Sequence, residues 1–179
     1  IVFLSRKKRV VISLNDSYFI NHFLESLKLS KIHQDNLISL ISMKSFHEIE
    51  VLLKSLKIPK NKINELSELL SLDGPFTVIN QIKKFCKKYS YNASSKIKSI
   101  SNIASKLINH KKVEINIDLT SIKSMDYESS FNYTFFVDNL RKPIAFGGRY
   151  DSYKYSDSIT RKATGFSIDL KDIITIYEK

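Results

Sequence analysis

The chain has 179 residues, 42% of them hydrophobic, enough for one domain or for one domain with a substantial insertion. Its formal net charge of +11 would suit nucleic acid or an acidic membrane surface, but the lysines are scattered through every segment, and Lys, Ile, Asn and Ser are heavily used throughout. That spread fits a bias toward A/T-rich codons, and Lys7-Lys8-Arg9 is the one tight cluster with arginine in it, so neither nucleic acid nor a membrane is expected as a partner.

Residues 1–14 hold two apolar runs, Ile1-Val2-Phe3-Leu4 and Val10-Val11-Ile12, split by Ser5 to Arg9. They read as a hairpin or the end of a sheet. The chain opens on Ile1 already in a strand pattern, and we expect an N-terminal part upstream of it. Asn15-Asp16-Ser17 offers N-cap chemistry for a helix carrying Phe19, Phe23, Leu24 and Leu27 at helical spacing.

From there to about His110 the period stays near 3.6. Leu37, Leu40 and Ile41 mark a second helix. Ser45 and Glu48 form a capping-box pattern ahead of Ile49, Leu52, Leu53 and Leu56, and Pro59 is expected to close that helix. Ile63, Leu66, Leu69 and Leu70 mark the next, ended by Asp73-Gly74-Pro75. Val78, Ile82 and Phe85 continue the pattern, and Ile97, Ile100, Ile103, Ala104 and Leu107 give the last helix of the block. Such stripes are the core of a helical bundle and hold no cofactor box.

Cys86 is the sole cysteine, so an intramolecular disulfide is ruled out, a reducing compartment fits, and a small packing residue is expected there. His22, His33, His47 and His110 lie far apart, without ligand spacing to Cys86 or to a carboxylate pair, so no metal site is expected. No apolar run approaches the roughly 18 residues of a membrane span, and no signal peptide is visible.

The period changes at Lys112. Val113, Ile115, Ile117 and Leu119 alternate with polar residues, a half-buried strand. Residues 127–137 are aromatic and β-rich, Arg141-Lys142-Pro143 is a turn, and Ile144 to Phe146 returns as strand. Residues 150–160 are polar and expected as a loop, 163–170 as a last strand, and 171–178 as a short helix. The expected architecture is α+β, a block of helices followed by an antiparallel β-sheet that residues 1–14 complete.

Gly147-Gly148-Arg149-Tyr150-Asp151 ends the apolar run at 144–146. On its own this pentapeptide reads first as a strand and turn with Arg149 and Asp151 paired at the surface. Paired glycines in a strand also mark a bulge or a close approach of ligand to backbone. Two further segments stand around it in order, 122–134 with Asp126-Tyr127, and Gly165-Phe166-Ser167-Ile168-Asp169-Leu170.

In this order and spacing the C-terminal third resembles the histidyl-tRNA synthetase family, which includes the regulatory subunit of ATP phosphoribosyltransferase. The resemblance implies an antiparallel sheet of the class II aminoacyl-tRNA synthetase type. Residues 1–15 would end its N-terminal part, 16–110 would be its helical insertion, and 111–179 its C-terminal part. It also implies a histidine-binding region at Lys123, Tyr127, Gly147, Gly148 and Tyr150, with Asp126, Arg149, Asp151 and Gly165 as structural members of the motifs. Glu128 departs from the family pattern and is expected to face solvent.

Two departures bear on chemistry. Where the resemblance places a catalytic arginine the chain has Lys123, and where it places a nucleotide-binding arginine the chain has Asp172. Guanidinium groups make forked contacts with phosphate, and an aspartate repels it. The resemblance therefore implies a subunit with no catalytic residue, no cofactor and no metal. That subunit would be a cytoplasmic partner of the short-form ATP phosphoribosyltransferase catalytic subunit, with L-histidine as effector in histidine biosynthesis. A divergent histidyl-tRNA synthetase fragment and a basic RNA-binding module using Tyr133, Phe135 and Phe136 stay open as alternatives.

Overall fold

Val10, Ile12 and Leu14 alternate along the first strand, and all three are at most 1% exposed. The computed structural model describes residues 8–120, 131–156 and 159–178, with the backbone alone for 150–156, 159–162, 177 and 178. Its strands are β1 (Val10–Asp16), β2 (Asp73–Pro75), β3 (Val113–Asp118), β4 (Phe131–Val137), β5 (Ala145–Ser156) and β6 (Ile159–Ile168). They form a six-stranded sheet in the order β2-β3-β1-β4-β5-β6. Burial on one face sets the register, since a one-residue slip would turn every apolar side chain outward. Leu14 accordingly sits between Ile117 and Tyr133, and Ile12 between Ile115 and Phe135.

The sheet is antiparallel except where β1 meets β3, which run parallel. Parallel neighbours need a crossover, and the helices provide it. They are α1 (Tyr18–Leu27), α2 (Lys31–Ser42), α3 (Phe46–Ser55), α4 (Lys60–Leu70), α5 (Ile79–Tyr89) and α6 (Ser94–Leu107). A last helix, α7 (Leu170–Glu178), follows β6. Helices and sheet share a continuous core in which Phe19, Phe23 and Phe85 are the largest fully buried side chains. In α5, Ile79, Ile82, Phe85 and Cys86 face inward while Lys83, Lys84, Lys87 and Lys88 are exposed, the stripe of a surface helix. Cys86 is a packing residue, and burial pushes its thiol up to about 11.

Several local expectations are corrected. Ser45 precedes α3 but makes no side-chain cap bond, so the capping box is not closed. Pro59 stands at the N-cap of α4 rather than closing α3. Helix α3 instead ends at Lys57 in the left-handed region (φ 55°). There Lys57 N donates to Lys54 O and Ile58 N to Leu53 O, both at 2.9 Å, a Schellman ending on a non-glycine residue. The expected cap chemistry at α1 is present, with Asp16 accepting a bond from Tyr18 N (3.0 Å).

Asp73–Pro75 is an edge strand rather than a mere helix stop. Asp73 lies directly opposite Asp118, a repulsive pairing that Lys44 relieves at 3.1 and 3.6 Å. The expected loop over 150–160 is also overturned: β5 and β6 extend through it as a two-stranded ribbon with register shifts after Tyr150 and Lys154. Tyr150, Tyr153, Tyr155 and Thr160 favour strand by type, although neither face of the ribbon reads as apolar.

Within the helical block Glu65 is only 5% exposed. Lys62 Nζ (2.8 Å) and the Tyr91 hydroxyl (2.9 Å) donate to its two oxygens. Burial, then the Glu65 carboxylate, pushes the Tyr91 phenol well above its usual value.

Candidate functional site

The pentapeptide lies in β5, between β4 and β6. Gly147 pairs with Tyr133 and Phe166, and Gly148 with Asn132 and Gly165. Strand pairing thus brings Gly165 directly opposite Gly148, joining two of the segments that sequence order had separated. Successive residues of a strand serve opposite faces, so the two glycines serve different surroundings.

Gly147 belongs to the face packed under α6, with Ile12, Leu14, Tyr133 and Phe135. A Cβ there would lie 2.4 Å from Gly165 O and 2.6 Å from the Tyr133 hydroxyl oxygen. The protein's own tyrosine and a neighbouring strand's carbonyl fill the space that the sequence had offered to a ligand. Arg149, also on this face, is exposed and lines a polar cavity with Asp16, Lys96 and Thr164.

Gly148 belongs to the opposite face. There a Cβ would meet Phe131 O at 3.0 Å and Asn132 Cβ at 3.1 Å. Across four strands this level reads Asn15, Asn132, Gly148, Gly165. The next level carries Ser13, Thr134, Phe146 and Ser167. Asn15 and Asn132 are 2% and 3% exposed, and Thr134 is also buried. Buried carboxamides beside a side-chain-free strip offer donors and acceptors at close range to a small polar ligand. Sequence reasoning missed both asparagines: Asn15 read as cap chemistry, and Asn132 stood unremarked inside a motif segment.

The third segment turns from strand into helix. Asp169 caps α7, accepting a bond from Asp172 N at 3.1 Å. Lys142 Nζ lies 2.8 Å from Asp169 and 3.1 Å from Asp172. This ammonium holds the Asp169 carboxyl below its usual range, while hydrogen bonds to Asp169 and then Asp172 raise Lys142. Lys142 and Lys171 offset the two carboxylates in charge, but the start of α7 presents a carboxylate already tied to an ammonium and no guanidinium.

Lys123, Asp126, Tyr127 and Glu128 lie outside the described residues, as do residues 1–7. Tyr150 and Asp151 are placed by backbone alone, Tyr150 opposite Ala163. Among the described residues no group of three or more His, Cys, Asp or Glu could hold a metal. None of their helices is long and apolar enough to cross a membrane.

The family model described as histidyl-tRNA synthetase matches residues 3–173. An ATP phosphoribosyltransferase regulatory subunit from Polynucleobacter asymbioticus is 31% identical over 170 residues, covering 93% of this chain and 43% of the relative. The chain thus spans less than half the length of that relative. The fold is shared with an ATP phosphoribosyltransferase regulatory subunit/histidyl-tRNA synthetase from Bacillus halodurans (TM-score 0.73, 20% identity, 96% of this chain, 45% of the other). It is shared too with a chain of the ATP phosphoribosyl transferase (HisG:HisZ) complex from Thermotoga maritima (TM-score 0.64, 19% identity, 90% and 53%).

Proposed function

The chain belongs to the histidyl-tRNA synthetase family, and we propose that within it the chain is a non-catalytic regulatory subunit of ATP phosphoribosyltransferase. In this reading it assembles in the cytoplasm with the short catalytic subunit, is required for that subunit's activity, and conveys feedback inhibition by L-histidine. The observation that carries the reading is the start of α7. Where the family resemblance places a nucleotide-binding arginine, Asp172 shares Lys142 with Asp169. A triphosphate calls for a guanidinium's forked donors at that point, and a carboxylate held by Lys142 supplies none. The name of the Polynucleobacter relative, matched along nearly the whole chain, supports the same reading.

Histidine would lie over the polar face of β4–β6, above Gly148 and Gly165, with Asn15 and Asn132 as near polar groups. Tyr127 and Tyr150 would supply aromatic faces and hydroxyls for the imidazole, and Lys123 a charge for the carboxylate. For histidine to regulate, the assembly must have two states that bind it unequally. Residues 1–15 and 111–179 would form the synthetase-like core and 16–110 its insertion.

The test mixes this chain with a short-form ATP phosphoribosyltransferase from the same source, with and without histidine. Activity that appears only in the mixture and falls with histidine is expected. Histidine-dependent ATP–pyrophosphate exchange by the chain itself would overturn the proposal in favour of a synthetase. Tyr150→Ala is expected to weaken the histidine response while leaving activation of the partner intact; equal sensitivity would remove Tyr150 from the site.

A further inference from the structure

The positive surplus of the chain is concentrated in one stretch. Residues 74–113 hold nine lysines and no arginine, aspartate or glutamate, a formal charge of +9. The other 139 residues carry the remaining 20 Lys and Arg against all 18 Asp and Glu, a balance of +2. Lysines recur along the whole chain, but acidic residues stop for these forty positions. A bias toward A/T-rich codons does not cause that gap, because aspartate and glutamate also have A/T-rich codons. The stretch contains helices α5 and α6, while each of the other five helices carries at least one acidic residue.

On α5 the pairing is one-sided. Lys88 Nζ lies 2.6 Å from Glu68 of α4, whose carboxylate also accepts a bond from the Tyr89 hydroxyl. Lys83, Lys84 and Lys87 are exposed and form no ion pair among the described residues. Residues three and four apart are neighbours on a helix, so these three share one face with exposed Asn80. Lys83 and Lys87 stand four apart, a like-charge spacing that works against the helix. Lys87 also answers the negative end of the helix dipole, but that effect fades within the last turn and does not reach Lys83 or Lys84. Among the described residues no carboxylate offsets the repulsion on this face.

We propose that the face of α5 formed by Lys83, Lys84 and Lys87 docks on an acidic patch of the short catalytic subunit. The inference rests on the regulatory reading above and names the face of this chain that meets the partner. Charge complementarity selects an acidic surface, and it speeds encounter more than it tightens the finished complex. The face has no arginine fork and no exposed aromatic ring, the groups that grip phosphates and stack on bases, so a protein's carboxylates fit it better than RNA does. Lysine ammoniums are strongly hydrated point charges, suited to the wet rim of an interface.

The experiment follows association of the full chain with a short-form ATP phosphoribosyltransferase from the same source by biolayer interferometry, at low and high salt. Lys83→Glu, Lys84→Glu and Lys87→Glu combined should slow association at least about tenfold at low ionic strength, with dissociation altered less than about twofold. Most of that difference should vanish at about 0.5 M salt. Lys28→Glu, Lys57→Glu and Lys60→Glu combined change the net charge equally at exposed positions away from α5, and should slow association less than about threefold. Circular dichroism checks that each variant is folded. Parent-like association of the α5 variant, or equal slowing by the control variant, would overturn the proposal and leave the regulatory reading standing. An α5 variant that keeps partner association but loses binding to single-stranded RNA would make the face a nucleic-acid surface and overturn the proposal too. Absence of any complex between the parent chain and the catalytic subunit would overturn the regulatory reading, and the proposal with it.

Discussion

Gly147→Ala probes how closely β4, β5 and β6 meet. The added Cβ would stand 2.4 Å from Gly165 O, 2.6 Å from the Tyr133 hydroxyl oxygen and 2.8 Å from its Cζ. Ordinary contact begins at 3.4 Å, so the carbonyl must retreat by about 1.0 Å. A tyrosine ring can swing aside, but that carbonyl belongs to the β6 backbone opposite Gly148 and moves only if the strand pair opens. Overpacking costs about 1–3 kcal/mol, and an immovable obstacle places this variant near the upper figure. Gly148→Ala is the internal control. Its nearest atom is Phe131 O at 3.0 Å, a shortfall of about 0.4 Å, so about 1 kcal/mol is expected. Urea unfolding followed by far-ultraviolet circular dichroism reads both. With m near 2 kcal/mol/M, Gly147→Ala should lower the midpoint by about 1.5 M with m unchanged, and Gly148→Ala by about 0.5 M. In the Tyr133→Ala background Gly147→Ala should still destabilise, because the carbonyl obstacle remains. A parental midpoint for Gly147→Ala, or the reverse order of the two variants, would refute the reasoning.

Tyr91→Phe removes one donor from buried Glu65 and should cost about 1–3 kcal/mol in the same assay. The Tyr91 phenol is raised above 10.0 in the folded chain. Its contribution is therefore complete below pH 10, the unfolded value, and is lost as pH climbs toward the folded one. The variant should flatten the alkaline fall in stability, and an unaltered alkaline limb would contradict the assignment. Cys86, with its thiol pushed up to about 11 by burial, should react with Ellman's reagent at pH 8 only after denaturant is added, and rapid labelling of the native chain would count against its burial. Lys57→Gly relieves a left-handed lysine at φ 55° on an exposed helix end, and a gain of about 0.5–1 kcal/mol is expected by urea unfolding. A loss of stability there would show that the lysine side chain has a role.

The elements that declared themselves in the sequence were those whose burial is one-sided. The alternation at Val113–Leu119 and the stripe at Ile79–Cys86 gave β3 and α5 because water on one side and core on the other imprint a period. The ribbon at 145–168 was half missed because its outer part shows no such contrast between faces. Asp73–Pro75 was missed because Gly and Pro read as breakers, although an edge strand tolerates both. That β1 runs parallel to β3 is a property of the crossover and leaves no local mark. Of the site, the closeness of approach at Gly147 was legible, but not what approaches. Only the pairing of β4 with β5 and β6 shows that Tyr133 and Gly165 O occupy that space. Asn15 and Asn132 belong together through a strand pairing whose members lie far apart in sequence, so neither could be singled out beforehand.

The position of β1 at the middle of the sheet sets a timetable for synthesis. Its two neighbours are residues 113–118 and 131–137, and at the usual pace of translation β4 follows β1 by roughly 6–24 s. The helices between them can nucleate on local contacts as they emerge. During that interval β1, rich in Val, Ile and Leu, is a strand with two bare edges, the kind of segment that recruits other chains. The exposure ends only when β3 and β4 arrive on either side. Aggregation of this protein in cells should therefore respond to translation speed between residues 16 and 137, and to chaperones that shield nascent strands, before it responds to the stability of the finished fold.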